Sequence, residues 1–276
     1  MIPVILIHKG YQDYLGYTLK QSLKNNTVHL LGDTNPSIDS DDFHFNNIVD
    51  YNEGCEEFQK VYQHLNTTPP DYELFCYQRW FILRNFMVKN NIKNVFYIDS
   101  DVLLFADVNE EWLKYSQFDM TLLHRTAATS SFITLDSVNN FCKLLMDTYT
   151  NKGSYNYKKI ASHFTIRQEC KLPGGVCDMT FLEYFHYHSD CGGGPGKVGE
   201  MMHIIDNTTY DHNINAEDQG FDFVNGLKNF KMRNGIPYIY NHRINKEIRF
   251  NALHFQGGAK RHIKDAYERC ERSMEI

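Results

Sequence analysis

Two aspartates, Asp99 and Asp101, stand one residue apart where a continuous apolar run, Val95 to Ile98, gives way to a second one, Val102 to Phe105. An extended backbone aims side chains at i and i+2 to the same side. Two carboxylates held that close repel each other unless a cation or a proton sits between them. Hard oxygen ligands suit Mn2+ or Mg2+ bridging a diphosphate, since such ions take their remaining ligands from substrate and water. The competing reading is a polar turn whose aspartates cap the next segment. The buried run before it favours the metal, because ligands of open α/β sheets bind outside the carboxyl ends of the strands.

Two further segments carry groups that could serve the same chemistry. Arg79 shares a helical face with Ile82, Leu83 and Phe86, and an arginine on an apolar face needs a carboxylate or phosphate to offset its desolvation. It is a candidate to contact donor phosphate or sugar, or to hold an acid such as Asp99; a purely structural ion pair explains it equally well, and Arg84 could be that pair instead. Near the C-terminus, Leu253-His-Phe-Gln-Gly-Gly-Ala-Lys260 brings an imidazole, a glycine turn and an ammonium together. Glycines let backbone amides approach an anion, and lysine supplies a point charge for phosphate oxygens. His254 could complete a metal site begun by the aspartates.

Three patterns resemble sites and fail on context. Gly194-Pro-Gly-Lys-Val-Gly199 spells G-x-G-x-x-G, but no strand precedes it and a proline interrupts it, so a flexible loop is the better reading. His186, His188, Asp190 and Cys191 lack the spacing of a zinc motif. An aspartyl-phosphate phosphohydrolase would carry Thr or Val where Leu103 stands.

The elements that must position these groups follow from the hydrophobic pattern. A strand over residues 2–7, a helix over 11–24 and a strand over 28–31 make a βαβ opening. Residues 35–52 read as loops with one edge strand, and Thr67-Thr-Pro-Pro-Asp71 breaks the chain before a helix at 73–89, apolar nearly all round and therefore buried. Beyond the Asp-bearing strand come a short helix at 110–115, strands near 120–124 and 131–135, and a helix at 137–149. Residues 150–175 read as irregular, 178–187 as helix, 190–199 as a glycine-rich loop, and the rest as short strands and turns before a terminal helix from His262. No internal repeat or long linker appears, so the expectation is one domain over 1–276.

Composition limits the function classes. Hydrophobic residues make up 42% of the 276 positions and charged ones 22%, which is the make-up of a packed core and excludes disorder. The net charge of −6 argues against a nucleic-acid binder, whose surface needs a basic excess. No apolar run reaches the ~20 residues of a membrane helix, and the opening run is too short for a signal peptide. A cytoplasmic protein with reduced thiols is expected, since the seven cysteines have irregular spacing and no C-x-x-C. The triplets at Asn25, Asn66 and Asn207 read as ordinary loop sequence.

Taken in order, these segments resemble a known family. Tyr97-Ile-Asp-Ser-Asp-Val-Leu-Leu-Phe105 resembles the D-x-D signature of GT-A fold glycosyltransferases, and Cys76-Tyr-Gln-Arg-Trp-Phe-Ile-Leu83 is similar to their Y-x-R helix. His254 to Lys260 matches the H-x-x-G-x-x-K motif of glycosyltransferase family 8. The resemblance implies an α/β/α sandwich with a mixed central sheet, a Rossmann-like nucleotide-binding half to residue 110 and an acceptor half from 111 to 276. It implies metal ligation by Asp99, Asp101 and His254, and diphosphate contacts from Gly257 and Lys260. It also implies donor contacts from Arg79 and Ser100, and base and ribose contacts from His8 and Tyr11 with help from Asp33. The activity implied is transfer of a sugar from a nucleoside diphosphate sugar, UDP-sugar favoured, to a glycan or other hydroxyl acceptor with retained configuration. Midway along the sequence, Cys177-Asp-Met-Thr-Phe-Leu182 approximates the family's D-Q-x-x-L-N-like segment, which puts the acid near the anomeric carbon at Asp178, with Asp218 as its rival. Arg261-His262 replace the usual Pro-Trp after the C-terminal motif. A nucleotidyltransferase and a non-catalytic glycan-binding module remain as other classes.

Overall fold

The structure, a computed structural model, describes residues 1–190 and 196–275. Strand β1 (Val4–His8), helix α1 (Leu15–Ser22) and strands β2 (Val28–Gly32) and β3 (Phe43–Asn47) open the chain. Helices α2 (Cys55–Val61) and α3 (Pro70–Lys89) lead to β4 (Asn94–Ile98) and the short β5 (Val102–Leu104). Then come α4 (Val108–Tyr115), β6 (Met120–Leu122), β7 (Ser130–Thr134), α5 (Leu135–Thr150), α6 (Tyr155–Glu169) and α7 (Asp178–Asp190). The rest holds β8 (Val198–Glu200), β9 (Thr208–Tyr210), the hairpin β10 (Phe223–Val224) and β11 (Leu227–Lys228), and strands β12 (Phe230–Arg233), β13 (Ile236–Asn241) and β14 (Lys246–His254). A 3-10 helix at Gly257–His262 and α8 (Ile263–Arg272) close it.

The protein is mixed α/β with a Rossmann-like first half. One sheet runs β3-β2-β1-β4-β7-β6-β8. Strands β1 to β4 are parallel, and β7 returns antiparallel to β4. The chain leaves β1 toward β2 and comes back on the other side as β4, so the strand order reverses between β1 and β4. Such a reversal opens a crevice at the carboxyl ends of both strands, where His8 and the Asp99 to Asp101 segment lie. A second sheet, β12-β13-β14-β5 with β9 beside β14, pairs Val102 with His254. That antiparallel register carries an imidazole 152 positions downstream in sequence to the residue after Asp101.

Helix α3 forms the crevice wall. Proline at its first position removes one of the amides that a helix start leaves unpaired, and Asp71 and Glu73 in its first turn complement the helix dipole. Tyr77, Trp80, Phe81, Leu83, Phe86 and Met87 are all buried, as its all-round apolar pattern predicts, although Val88 points to solvent. Burying each such side chain contributes about 1.5–3 kcal/mol, which fixes the helix, and with it the backbone of Arg79, against β4 and α5.

Local expectations fail at identifiable points. Residues 155–169, read as irregular, form α6, capped by Ser154, whose hydroxyl accepts from the Tyr157 amide. Only Tyr157 and Ile160 of that helix are buried, so its hydrophobic period is too thin to register. The helix expected from residue 11 starts at Leu15. Most of the glycine-rich loop, with Gly194, Pro195 and Cys191, lies outside the described residues. Among the described residues no helix is long and apolar enough to cross a membrane.

Candidate active site

The Asp-bearing segment is a turn, not the extended stretch expected: the Val102 amide donates to the Asp99 carbonyl at 3.2 Å. The turn still gathers the acids. One ligand atom each from Asp99, Asp101 and His254 lies within 4.8 Å of the others. The Phe255 amide donates to the Asp101 carbonyl at 3.0 Å, stitching β14 to this turn. Two carboxylates and an imidazole are a donor set that fits Mn2+ or Mg2+.

Each acid is already in a charged network. Asp101 is 7% exposed, with Oδ1 3.5 Å from His254 Nε2 and Oδ2 3.2 Å from Lys260 Nζ. Burial alone would raise the Asp101 pKa, and His254 and Lys260 reverse that and hold it below the usual carboxylate value. Burial likewise opposes a charged His254, but Asp101 outweighs it and lifts the imidazole to about 9. His254 Nδ1 faces the His212 carbonyl, which directs Nε2 toward Asp101. A carbonyl partner of this kind sets the tautomer a metal-binding histidine needs.

Asp99 Oδ1 accepts from Arg79 Nη1 and from the Tyr97 hydroxyl, both at 2.9 Å. Arg79 also grips Asp178, donating from Nη2 at 2.6 Å and Nε at 3.2 Å to one oxygen that accepts from Trp80 Nε1 at 3.0 Å as well. Burial disfavours the Arg79 charge; Asp178, Tyr97 and Asp99 more than restore it. Asp178 is 3% exposed. It lies behind Arg79 rather than facing the crevice from the acceptor half as expected, and its carboxylate is engaged with Arg79 and Trp80 rather than with the start of α7. Arg84 is not the alternative ion pair: it donates to Asn85 Oδ1 and the Glu53 carbonyl.

A cavity of about 350 Å³ lies over this network, lined by Ile7, His8, Lys9, Tyr14, Asp71, Tyr72, Phe75, Cys76, Arg79, Asp99, Ser100, Asp101 and Lys260. His8 Nδ1 meets Ser100 Oγ at 3.0 Å, and burial, with Lys260 adding to it, lowers the His8 pKa. Asp33 Oδ1 accepts from the Gly10 amide at 2.7 Å and so shapes the turn after β1 instead of lining the cavity. Tyr11 is 61% exposed and lines a different depression with Lys20 and Tyr267; Tyr14 takes the crevice position. Gly257 has a φ of +57°, and a side chain built on it would meet nothing within 4 Å. Its use is the left-handed bend that brings Lys260 back over Asp101. Lys260 Nζ also stands 5.3 Å from the centre of the Tyr14 ring. Asp218 is elsewhere, paired at 2.9 Å with Lys228.

Tyr72, Phe75 and Cys76 are wall residues that sequence reasoning missed. With Arg79 they fall at i, i+3, i+4 and i+7, a single stripe of α3, so the signal was present once Arg79 was on that face.

No family model matches this sequence, and no curated protein matches it. A solved structure with a similar chain path is an active-site mutant of LgtC, at 12% identity over 97% of this chain and 95% of that one, with a TM-score of 0.47. At that degree of likeness the functional reading rests on the crevice's own side chains.

Proposed function

We propose that this chain is a metal-dependent glycosyltransferase of GT-A type, acting as one catalytic unit that moves a sugar from a nucleoside diphosphate sugar to an acceptor hydroxyl. The observation that carries the reading is the convergence of Asp99, Asp101 and His254 within 4.8 Å, with Lys260 on the same cavity wall. The order of the D-x-D, Y-x-R and H-x-x-G-x-x-K segments supports it.

In this reading Asp99, Asp101 and His254 hold Mn2+ or Mg2+, which would supply charge neutralisation for the leaving diphosphate. Lys260, 38% exposed at its side chain, adds an ammonium where negative charge grows as the glycosidic bond to phosphate breaks. Tyr14, Tyr72 and Phe75 offer apolar faces for the nucleobase, and His8 and Ser100 offer polar atoms for ribose or phosphate. Arg79 is fixed between Asp99, Tyr97 and Asp178, which take four of its five N–H donors, so the one left on Nη2 is preorganised toward donor sugar or phosphate at no conformational cost during reaction. Asp178 acts through Arg79 as a positioning residue.

The test is a panel of nucleoside diphosphate sugars with Mn2+, monitored for free nucleoside diphosphate. Release with at least one sugar, abolished by chelator and restored by Mn2+, is expected. Pyrophosphate release would identify a nucleotidyltransferase, and sugar binding without turnover a glycan-binding module; either refutes the proposal.

A further inference from the structure

A second cluster of metal-binding groups lies beside the first. His124 in the turn between β6 and β7, and His212 and Asp218 in the segment after β9, each offer one ligand atom within 4.8 Å of the others. The two imidazole rings are 4.6 Å apart at their centres, nearly perpendicular. His212 Nδ1 is buried with no hydrogen-bond partner among the described residues, and neither Asp218 oxygen receives a well-directed hydrogen bond there. Asp218 Oδ1 is 2.9 Å from Lys228 Nζ, but that ammonium is shared with the fully buried Asp211, whose Oδ1 it meets at 2.7 Å. One positive charge therefore serves two carboxylates, and the cluster keeps a negative charge to offer a cation.

The turn that carries His124 is built rather than loose. His124 and Arg125 both have left-handed backbones, at φ of 54° and 62°. Two consecutive non-glycine residues in that region are costly unless neighbours hold them. Glu200 does so: its two carboxylate oxygens accept from the His124 and Arg125 amides at 3.2 and 3.0 Å.

We propose that His124, His212 and Asp218 form a second cation site, for a transition metal such as Zn2+, distinct from the Asp99, Asp101 and His254 set. Two imidazoles and one carboxylate are a softer donor set than the paired aspartates and suit Zn2+ over Mg2+. Ligand atoms round a tetrahedral Zn2+ stand about 3.4 Å apart, so closing round the ion asks separations of up to 4.8 Å to shrink by about 1.4 Å at most. Three protein ligands leave a fourth position for water or a substrate hydroxyl. The two sites meet at His254, whose Nε2 faces Asp101 while its Nδ1 faces the carbonyl of His212. The cation would also clamp the β6 to β7 turn to the segment after β9.

The experiment titrates Zn2+ alone into the metal-free protein of residues 1–276 against a chromophoric chelator, in wild type, Asp101→Asn, His124→Gln and Asp218→Asn. His124 is exposed, so His124→Gln disturbs no core packing. The proposal expects a Zn2+ equivalent that persists in Asp101→Asn and weakens about 100-fold or more in His124→Gln and Asp218→Asn. Co2+ in the same position should give visible bands without the thiolate charge-transfer absorption that cysteine ligation produces. Zinc uptake in His124→Gln equal to wild type, loss of all uptake in Asp101→Asn, or a thiolate signature overturns it.

Discussion

Asp178→Asn separates a carboxylate that supports Arg79 from one that faces substrate. In the folded protein a single Asp178 oxygen takes three donors, two from Arg79 and one from Trp80, at 5% side-chain exposure against 18% for Arg79. Two unit charges about 4 Å apart at an effective dielectric near 20 attract by about 4 kcal/mol. Part of that is offset because an amide is less costly to bury than a carboxylate, and Asn keeps one carbonyl oxygen for Arg79. Arg79 also retains Asp99 and Tyr97. The net loss should be about 2–3 kcal/mol, below the ~3–5 kcal/mol of stripping a buried charge of its whole partner. At ~2–4 °C per kcal/mol for a protein of this size, the Tm should fall by about 4–12 °C. Thermal unfolding followed by circular dichroism, with urea titration to check that the m-value is unchanged, gives the number. An Arg79→Met, Asp178→Leu double variant should lose less stability than the two single changes together. An unaltered Tm in Asp178→Asn, with turnover alone reduced, would refute this reasoning and return Asp178 to the substrate.

Other outcomes follow from the same geometry. Lys260→Ala should weaken nucleoside diphosphate binding about tenfold or more by calorimetry with Mn2+ present while Tm moves by under ~2 °C, since a half-exposed ion pair contributes little stability; unchanged affinity would remove Lys260 from the donor site. Burial and the neighbouring His44 lower the His29 pKa from 6.5 to about 4, so between those values the unfolded chain binds more protons than the folded one. Stability should therefore be full above about pH 6.5 and fall as pH drops toward 4. His29→Gln should flatten that slope, and an identical pH profile would show that His29 does not contribute.

Much of this was legible in the residues themselves. Hydrophobic runs set β1, β2 and β4 because strands covered on both faces need uninterrupted apolar sequence. The all-round apolar character of α3 marked it as buried, and the Asp99, Asp101 pair stood out because carboxylates at a buried strand end need a counter-charge. The Asp99 turn and the thin-faced α6 were not legible, since a local hydrogen bond or a capping serine leaves no hydrophobic period to read.

The tertiary structure alone decided which charge meets which. Nothing in sequence spacing says that Asp178 lies behind Arg79, that Tyr14 rather than Tyr11 lines the crevice, or that His124 approaches His212 across 88 positions of sequence. Pattern and propensity act over a few residues, whereas these contacts are set by sheet register. The pairing of Val102 with His254 puts the imidazole beside Asp101, and the reversal of strand order between β1 and β4 sets where the crevice opens.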